Sequence, residues 1–227
     1  MREFTVEIFL YFAAIGLVIW AQAKVNNAYS HFAKVPTENK KNGYDVARAI
    51  LDANGLQDVQ IQVSQRGLLS DHYDPKTNTV NLSPKVYNEA TVASVAVAAH
   101  EVGHAIQYAD HYSFIGVRNA ILPFAIVSSY AGWVVAVIGI IAGIDAILLL
   151  GIAMLGVIAT FQLVTLPLEF NASSRALQIL SEGNYINSDE IADSKAMLSA
   201  AAMTYVAAFG ATLLQIMRLL LIRGRRR

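Results

Sequence analysis

Residues 98–108 read AAHEVGHAIQY and place two histidines four residues apart, with a glutamate directly after the first. On an α-helix a step of four residues turns the chain by about 400°, so His100 and His104 project from one face. Two imidazoles at that spacing can bind one zinc ion, while Glu101 lies about 100° further round the helix, within reach of a zinc-activated water. The pattern predicts a zinc-dependent endopeptidase with Glu101 as general base and acid.

A histidine in an apolar helix is by itself more often a core residue than a ligand. Here the second histidine falls at metal-binding spacing and the glutamate is in register, which favours one catalytic zinc ion over two satisfied core residues. The sequence contains no cysteine, so thiolate zinc ligands and cysteine nucleophiles are excluded. The remaining zinc ligands must therefore come from histidine or carboxylate side chains.

Composition indicates the solvent in which this helix lies. The chain of 227 residues is 55% hydrophobic and only 15% charged, and its mean hydropathy is +0.44. These values are typical of a membrane protein, with the lipid bilayer as a partner. The formal net charge is zero, so no broad basic field points to nucleic acid as a partner.

Four apolar runs are long enough to cross a bilayer as helices, and a polar segment separates the first two. We expect a mainly α, integral membrane protein with about four transmembrane helices and a small α+β zinc-peptidase domain, gluzincin-like, between the first and second. The expected parts are a first span at 4–23, a water-facing catalytic domain at 24–118, a hairpin of two spans at 119–168, a third-ligand segment and helical linker at 169–195, a fourth span at 196–222, and a basic tail at 223–227.

Within the polar segment the sequence alternates between helix and strand signals. A helix is expected to end at Asn54-Gly55, the alternation in VQIQV predicts a half-buried strand, and NTVNL predicts a second strand. The stretch between them, RGLLSDHYDPKT, has the composition of a loop. Ser83-Pro84 is a good helix start that leads towards the motif. The strand TVNL could be an edge that receives an extended substrate.

A catalytic zinc ion needs a third protein ligand. No histidine follows His111 in the chain, so this ligand must be a carboxylate. If the hairpin crosses the membrane twice, its turn at Asp145 lies on the far side, and the chain returns Glu169 to the side of the motif. We therefore expect Glu169 rather than Asp145, although a snorkelling acid at a helix end would also explain Glu169.

Three stretches, SDHYDP, AVAAHEVGHAIQY and LPLEFNASSRAL, resemble the YugP-type membrane zinc metallopeptidases of bacteria. The resemblance extends over nearly the whole chain. It implies His100, His104 and Glu169 as zinc ligands and Glu101 as the catalytic residue. One departure is Asn171, where the family pattern leads us to expect aspartate. An aspartate there could orient a ligating imidazole, and an uncharged asparagine could reduce metal affinity or activity.

Three further residues are weaker candidates. His72 and Tyr73 precede the motif helix, and either could stabilise an oxyanion as a hydrogen-bond donor. Turn hydrogen bonds from Asp71 and Asp74 explain the same stretch as a purely structural loop. Arg175 could hold a substrate carbonyl or pair with a nearby acid.

Two other functions compete with a peptidase that cleaves peptide or membrane-protein substrates at or near the membrane surface. A site-2-type intramembrane protease also uses H-E-x-x-H, but within a spanning helix, and a noncatalytic scaffold could use zinc for structure alone. The tail RLLLIRGRRR carries five arginines, which favours a cytoplasmic C-terminus. The expected location is the bacterial cell membrane, with several spans and an extracytoplasmic catalytic domain.

Overall fold

The computed structural model describes residues 2–67 and 69–225, so Arg226 and Arg227 of the basic tail and Leu68 of the expected loop lie outside it. The described chain is mainly helical and contains a small sheet. Its elements in order are α1 (Arg2–Phe32), α2 (Gly43–Ala53), β1 (Gln60–Val63), β2 (His72–Asp74), β3 (Thr79–Leu82), α3 (Pro84–Asn88), α4 (Val92–Ala109), α5 (Ser113–Ala142), α6 (Asp145–Glu182) and α7 (Ser188–Arg225).

Among the described residues, four helices are long and apolar enough to cross a membrane, namely α1, α5, α6 and α7. They extend further than the expected spans. The helix α6 continues well beyond residue 168, and α7 begins at Ser188 rather than at residue 196. Because helices of 38 residues exceed the roughly 20 residues that a bilayer needs, each also supplies polar turns outside the apolar run.

The chain divides into two compact units. We call the first the membrane unit, and it consists of Met1–Ala23, Gly116–Pro167 and Met203–Arg227. We call the second the motif unit, and it consists of Lys24–Ile115 and Leu168–Ala202. The motif unit is therefore assembled from two separate stretches of the chain, and its second stretch contains Glu169.

Close helix packing and apolar side chains stabilise the membrane unit. A Cβ atom added at Gly151 would lie 2.5 Å from the backbone nitrogen of Ala136, so glycine permits α5 and α6 to approach each other. A buried apolar cluster includes Leu148, Leu155 and Leu219. Large apolar side chains such as Ile141, which is 81% exposed, face outwards, as expected for a surface covered by lipid.

A three-stranded sheet in the order β1-β3-β2 packs with α2 and α4 in the motif unit. Strand β1 pairs with β3 in parallel, and β2 pairs with β3 antiparallel. The side chains of Val80 and Leu82 on β3 are fully buried, together with Val46 and Ile50 on α2. Burial of this apolar face on both helices holds the sheet in place.

One expectation about the strands was wrong, and one possibility is excluded. The stretch expected to be a loop contains β2, since His72–Asp74 pairs with β3 through three residues. Strand β3, which contains TVNL, is central rather than an edge, because β1 and β2 lie on its two sides. Three of the four residues of β3 are buried, and the two edges of the sheet are β1 and β2.

The motif helix α4 begins where Thr91 caps it, since the Thr91 hydroxyl oxygen accepts a hydrogen bond from the Ser94 N–H at 3.2 Å. It is apolar on nearly every face, which is typical of a helix buried inside a folded unit. The helix ends at Ala109, and His111 adopts a positive φ of 52° just beyond it. The histidines therefore stand on a helix that neighbouring elements enclose.

Candidate metal centre

The helix α4 presents the two histidines of the motif side by side. The imidazole ring centroids of His100 and His104 are 4.7 Å apart and nearly perpendicular. Each of the two side chains is 15% exposed, so the pair is largely enclosed but reachable from solvent. This is the arrangement that a helical spacing of four residues predicts.

Glu169 on α6 meets both imidazoles. Its Oε2 atom lies 3.4 Å from Nε2 of His100 and 3.6 Å from Nε2 of His104. The three groups offer ligand atoms that all lie within 4.8 Å of one another. Two imidazole nitrogens and one carboxylate oxygen are a donor set of catalytic zinc sites, in which a fourth position stays open. The residues present therefore fit a zinc ion.

Gly103 explains how α6 can deliver this carboxylate. A Cβ atom added at Gly103 would lie 2.8 Å from the backbone oxygen of Ala172, which is closer than real Cβ contacts allow. The backbone of α6 thus occupies the space that a side chain at position 103 would fill. The glycine inside the HEVGH motif serves helix packing, and the packing brings Glu169 to the two histidines.

The other ring nitrogen of each histidine is held by a neutral polar side chain. Nδ1 of His100 lies 3.1 Å from the Ser173 hydroxyl oxygen, and Nδ1 of His104 lies 2.9 Å from Oε1 of Gln107. Both Nε2 atoms consequently face Glu169. The sequence alone does not single out Ser173 or Gln107. Their positions four residues after Glu169 and three after His104 place each on the same helix face as a candidate ligand.

Glu101 stands apart from the three candidate ligands. Its side chain is buried, with the residue only 8% exposed, and its Oε2 atom accepts a hydrogen bond of 3.1 Å from the Tyr73 N–H. Because Tyr73 belongs to β2, the edge strand is joined to the glutamate of the motif. One carboxylate oxygen is thereby fixed, and the other can act on a neighbouring proton.

Negative charge accumulates around this centre. Burial opposes the charged form of His104, but the hydrogen bond to Glu169 and the charges of Glu101 and Glu169 together raise its pKa above the usual value. Burial also raises the pKa of Asp71, whose Oδ1 accepts the Ser83 N–H at 2.6 Å, and the charge of Glu101 adds to that rise. Such a potential favours a bound cation.

The two weaker oxyanion candidates are engaged elsewhere. The Tyr73 hydroxyl donates to Oδ1 of Asn78 at 2.8 Å, and its ring packs against Tyr108. Nδ1 of His72 lies 2.8 Å from the Ser70 carbonyl oxygen, which can only accept a hydrogen bond. A neutral His72 ring therefore has a lone pair at Nε2 and could donate to an oxyanion only after protonation.

Asn171 and Arg175 take different positions from those considered in the sequence analysis. Asn171 contacts neither imidazole directly, because its Oδ1 atom accepts hydrogen bonds from Gln107 Nε2 at 2.8 Å and Arg175 Nε at 3.0 Å. Arg175 also pairs with Asp110 through its guanidinium group. Two roles were expected for Arg175, and the structure shows the ion pair with an acidic residue.

Two helical histidines, a carboxylate from a second helix and a separate buried glutamate make up the kind of centre found in zinc peptidases, here on a chain with four membrane-type helices. Residues 7–224 match the family described as "Putative neutral zinc metallopeptidase". The chain belongs to this family. It is similar to the "Putative membrane protease YugP" of Bacillus subtilis (strain 168), with 41% identity over 215 residues that cover 95% of each chain. No solved structure matches the chain.

Proposed function

We propose that this protein is an integral-membrane endopeptidase that uses one zinc ion held by His100, His104 and Glu169. The observation that carries the proposal is the approach of Glu169 to both Nε2 atoms while Glu101 lies buried and separately anchored. Membership of the zinc metallopeptidase family supports it. A purely structural zinc site would need no buried glutamate beside the ligands.

Each residue has a distinct task in the reaction. A bound zinc ion would polarise the scissile carbonyl and lower the pKa of water at the site. Glu101 accepts a proton from the attacking water and passes it to the leaving amine. The Tyr73 N–H holds one oxygen of Glu101 in place, so the other oxygen keeps a constant direction. Burial of Glu101 excludes bulk water from this transfer.

The edge strand β2 supports an extended peptide as the substrate. Among the described strands it pairs with β3 alone, so it is an edge of the sheet to which a substrate could add beside the Tyr73 N–H, which donates to Glu101. The Tyr73 N–H that reaches Glu101 belongs to this strand, which places the edge beside the catalytic glutamate. Binding by β-augmentation would lay the substrate backbone along β2 and bring the scissile bond to the centre.

The two alternative functions have less support. A site-2-type intramembrane protease should have its motif in a spanning helix, whereas α4 is absent from the four candidate spans among the described residues. A noncatalytic scaffold would not need Glu101, which the chain retains with an ordered hydrogen bond. Cleavage of substrates at or near the membrane surface therefore fits the structure better than either alternative.

The substitution Glu101→Gln tests the mechanism, because glutamine keeps the shape but cannot accept the proton. We expect the variant to retain zinc and to cleave casein or a quenched fluorescent peptide mixture at least about 10²- to 10⁴-fold more slowly. Glu182→Gln, which alters an exposed glutamate outside the centre, is the matched control and should cleave normally. Undiminished cleavage by the Glu101 variant would refute the mechanism.

We also propose that the motif unit faces the outside of the cell and the C-terminus faces the cytoplasm. The arginine-rich end of α7 supports this orientation, even though Arg223 pairs with Asp145 and Arg225 with Glu7, because acidic residues contribute little to the positive-inside rule. Lys24, Lys34, Lys40 and Lys41 compete with this signal, but long domains translocate largely regardless of charge.

Absence of cysteine from the chain makes this orientation easy to test. Lys76→Cys introduces a thiol on an exposed turn between β2 and β3, and Ala142→Cys introduces one at the exposed end of α5. In intact cells a membrane-impermeant maleimide should label the first variant and not the second. Labelling of the second variant alone would reverse the proposed orientation.

A further inference from the structure

Gln107 is a fully buried glutamine that bridges α4 and α6 beside the candidate metal centre. Its Oε1 atom lies 2.9 Å from Nδ1 of His104. Its Nε2 atom lies 2.9 Å from the Leu168 carbonyl oxygen and 2.8 Å from Oδ1 of Asn171. One amide group therefore contacts three polar atoms, and its two N–H bonds and its oxygen all have partners.

The chemistry of those partners fixes the orientation of the amide. A backbone carbonyl can only accept a hydrogen bond, so the group that faces Leu168 must be the NH₂ of Gln107. Asn171 gives the same answer. Its oxygen must face Arg175, because the guanidinium group can only donate, and this oxygen also accepts from Gln107. A flipped Gln107 amide would put oxygen against oxygen at both contacts.

Oε1 of Gln107 therefore faces Nδ1 of His104, and an amide oxygen can only accept. Nδ1 must then carry the proton of the neutral ring, and Nε2 must carry the lone pair. That lone pair is directed to the side of Glu169, 3.6 Å away. We propose that Gln107 is a positioning residue that sets the tautomer and ring orientation of His104 for zinc, a role that rests on the proposed function.

The two candidate histidine ligands differ in this respect. Nδ1 of His100 faces the Ser173 hydroxyl, which can rotate to donate or to accept. The serine therefore holds the ring but does not select one tautomer. The glutamine does select one, because Leu168 and Arg175 define its direction at the two ends of the network. Of the two histidines, His104 is therefore the one whose metal-binding tautomer is fixed by hydrogen bonds.

A glutamine meets this requirement where a carboxylate would not. Glutamate at position 107 would still accept from Nδ1 of His104, but it would offer no proton to the Leu168 carbonyl or to Asn171. Methionine at the same position would fill a similar volume and make none of the three hydrogen bonds. The two substitutions therefore separate the contact with His104 from the link between α4 and α6.

We would measure zinc affinity by chelator competition for wild type, Gln107→Met and Gln107→Glu. We expect the methionine variant to bind zinc about 10- to 100-fold more weakly than wild type, as for loss of an outer partner of a ligating histidine. The glutamate variant should bind at least about tenfold more tightly than the methionine variant. Val95→Ala, which trims a fully buried apolar side chain on α4, controls for loss of packing and should keep wild-type affinity.

The proton on Nδ1 of His104 supplies a second readout that does not depend on how well a variant folds. In ¹⁵N-labelled, zinc-loaded wild type, NMR should show zinc on Nε2 and a slowly exchanging proton on Nδ1. Zinc on Nδ1, or equal zinc affinities for the methionine and glutamate variants, would overturn the proposal. The expected affinity order together with Glu101-independent cleavage would instead refute only the proposed reaction.

Discussion

The two units of this protein differ in how many ionisable and amide side chains they bury around one point. In the motif unit, Glu101, Gln107 and Glu169 are buried, and each has a specific partner. The buried cluster of the membrane unit is apolar, and of its carboxylates Asp145 is exposed, whereas Glu7 is buried and pairs with Arg225 near the end of α7. A buried polar group is costly unless it is paired, so the paired groups of the motif unit mark the region where identity of side chains matters most.

The helix α6 contains both an exposed and a buried carboxylate. Near its start Asp145 forms two hydrogen bonds with Arg223, at 2.6 and 2.9 Å, in an exposed pair. Further along, Glu169 contacts two imidazoles and is only 8% exposed. Both are carboxylates on one helix, and their surroundings give them different chemistry. Exposed ion pairs contribute little to stability, whereas a buried carboxylate with two ligand neighbours can hold a metal ion.

Removal of Glu169 and removal of Asp145 should differ most in their effect on zinc binding. Loss of an outer partner of a ligand lowers zinc affinity about 10- to 100-fold. We expect Glu169→Ala to lower zinc affinity by more than this, because it deletes a ligand. Asp145→Ala should keep wild-type zinc affinity, since it removes an exposed carboxylate that pairs with Arg223 and is not one of the three candidate ligands. Metal content after dialysis against a chelator would measure both.

Thermal unfolding in the absence of zinc is the control for this comparison, because it separates loss of a ligand from loss of the fold. Both variants should unfold cooperatively without metal. Zinc loss by the Asp145 variant, or zinc retention by the Glu169 variant, would contradict the assignment of the third ligand.

Local sequence signals were sufficient for much of the fold. Long apolar runs predict the four membrane-type helices, and the expected family was confirmed. The spacing of His100 and His104 predicts two side chains on one helix face, which is what α4 presents. These features depend on residues close together in the sequence, where helix periodicity and bilayer thickness are strong constraints.

Features that depend on contacts between distant segments could not be predicted in this way. Strand β2 is short and lies among turn residues, and only pairing with β3 defines it. Ser173 and His100 are separated by 73 positions, and Gln107 and Asn171 by 64, so their hydrogen bonds depend on how α6 packs on α4. Serine and glutamine also carry no strong functional signal by themselves, so neither residue type predicts a role beside a histidine ligand.

Glycines allow close helix packing in both units, and Gly103 is the one inside the HEVGH motif, against Ala172 of α6. Gly103→Ala should push α6 away at Ala172, lower stability by about 1–3 kcal/mol as overpacking does, and weaken zinc binding because Glu169 moves with α6. Gly156→Ala is the control, since nothing lies within 4 Å of its added Cβ. Unfolding temperature and zinc affinity should fall together in the first variant only. Unchanged zinc affinity in the Gly103 variant would mean that this packing does not position the ligand.

The smallest expected effect concerns Asn171, which stands where we expected aspartate. Its oxygen accepts from Gln107 and Arg175, so Asn171→Asp would keep both acceptor contacts, make the bond from Gln107 charge-assisted and turn the contact with Arg175 into an ion pair. We expect a gain of about 1 kcal/mol in stability. Zinc should bind a few-fold more tightly, because a firmer Gln107 holds His104 more firmly. Asp110→Asn weakens the ion pair with Arg175 and leaves Asn171 unchanged, so it should lower stability and zinc affinity instead of raising them. A lower unfolding temperature for Asn171→Asp would show that asparagine suits this position better than the charged residue.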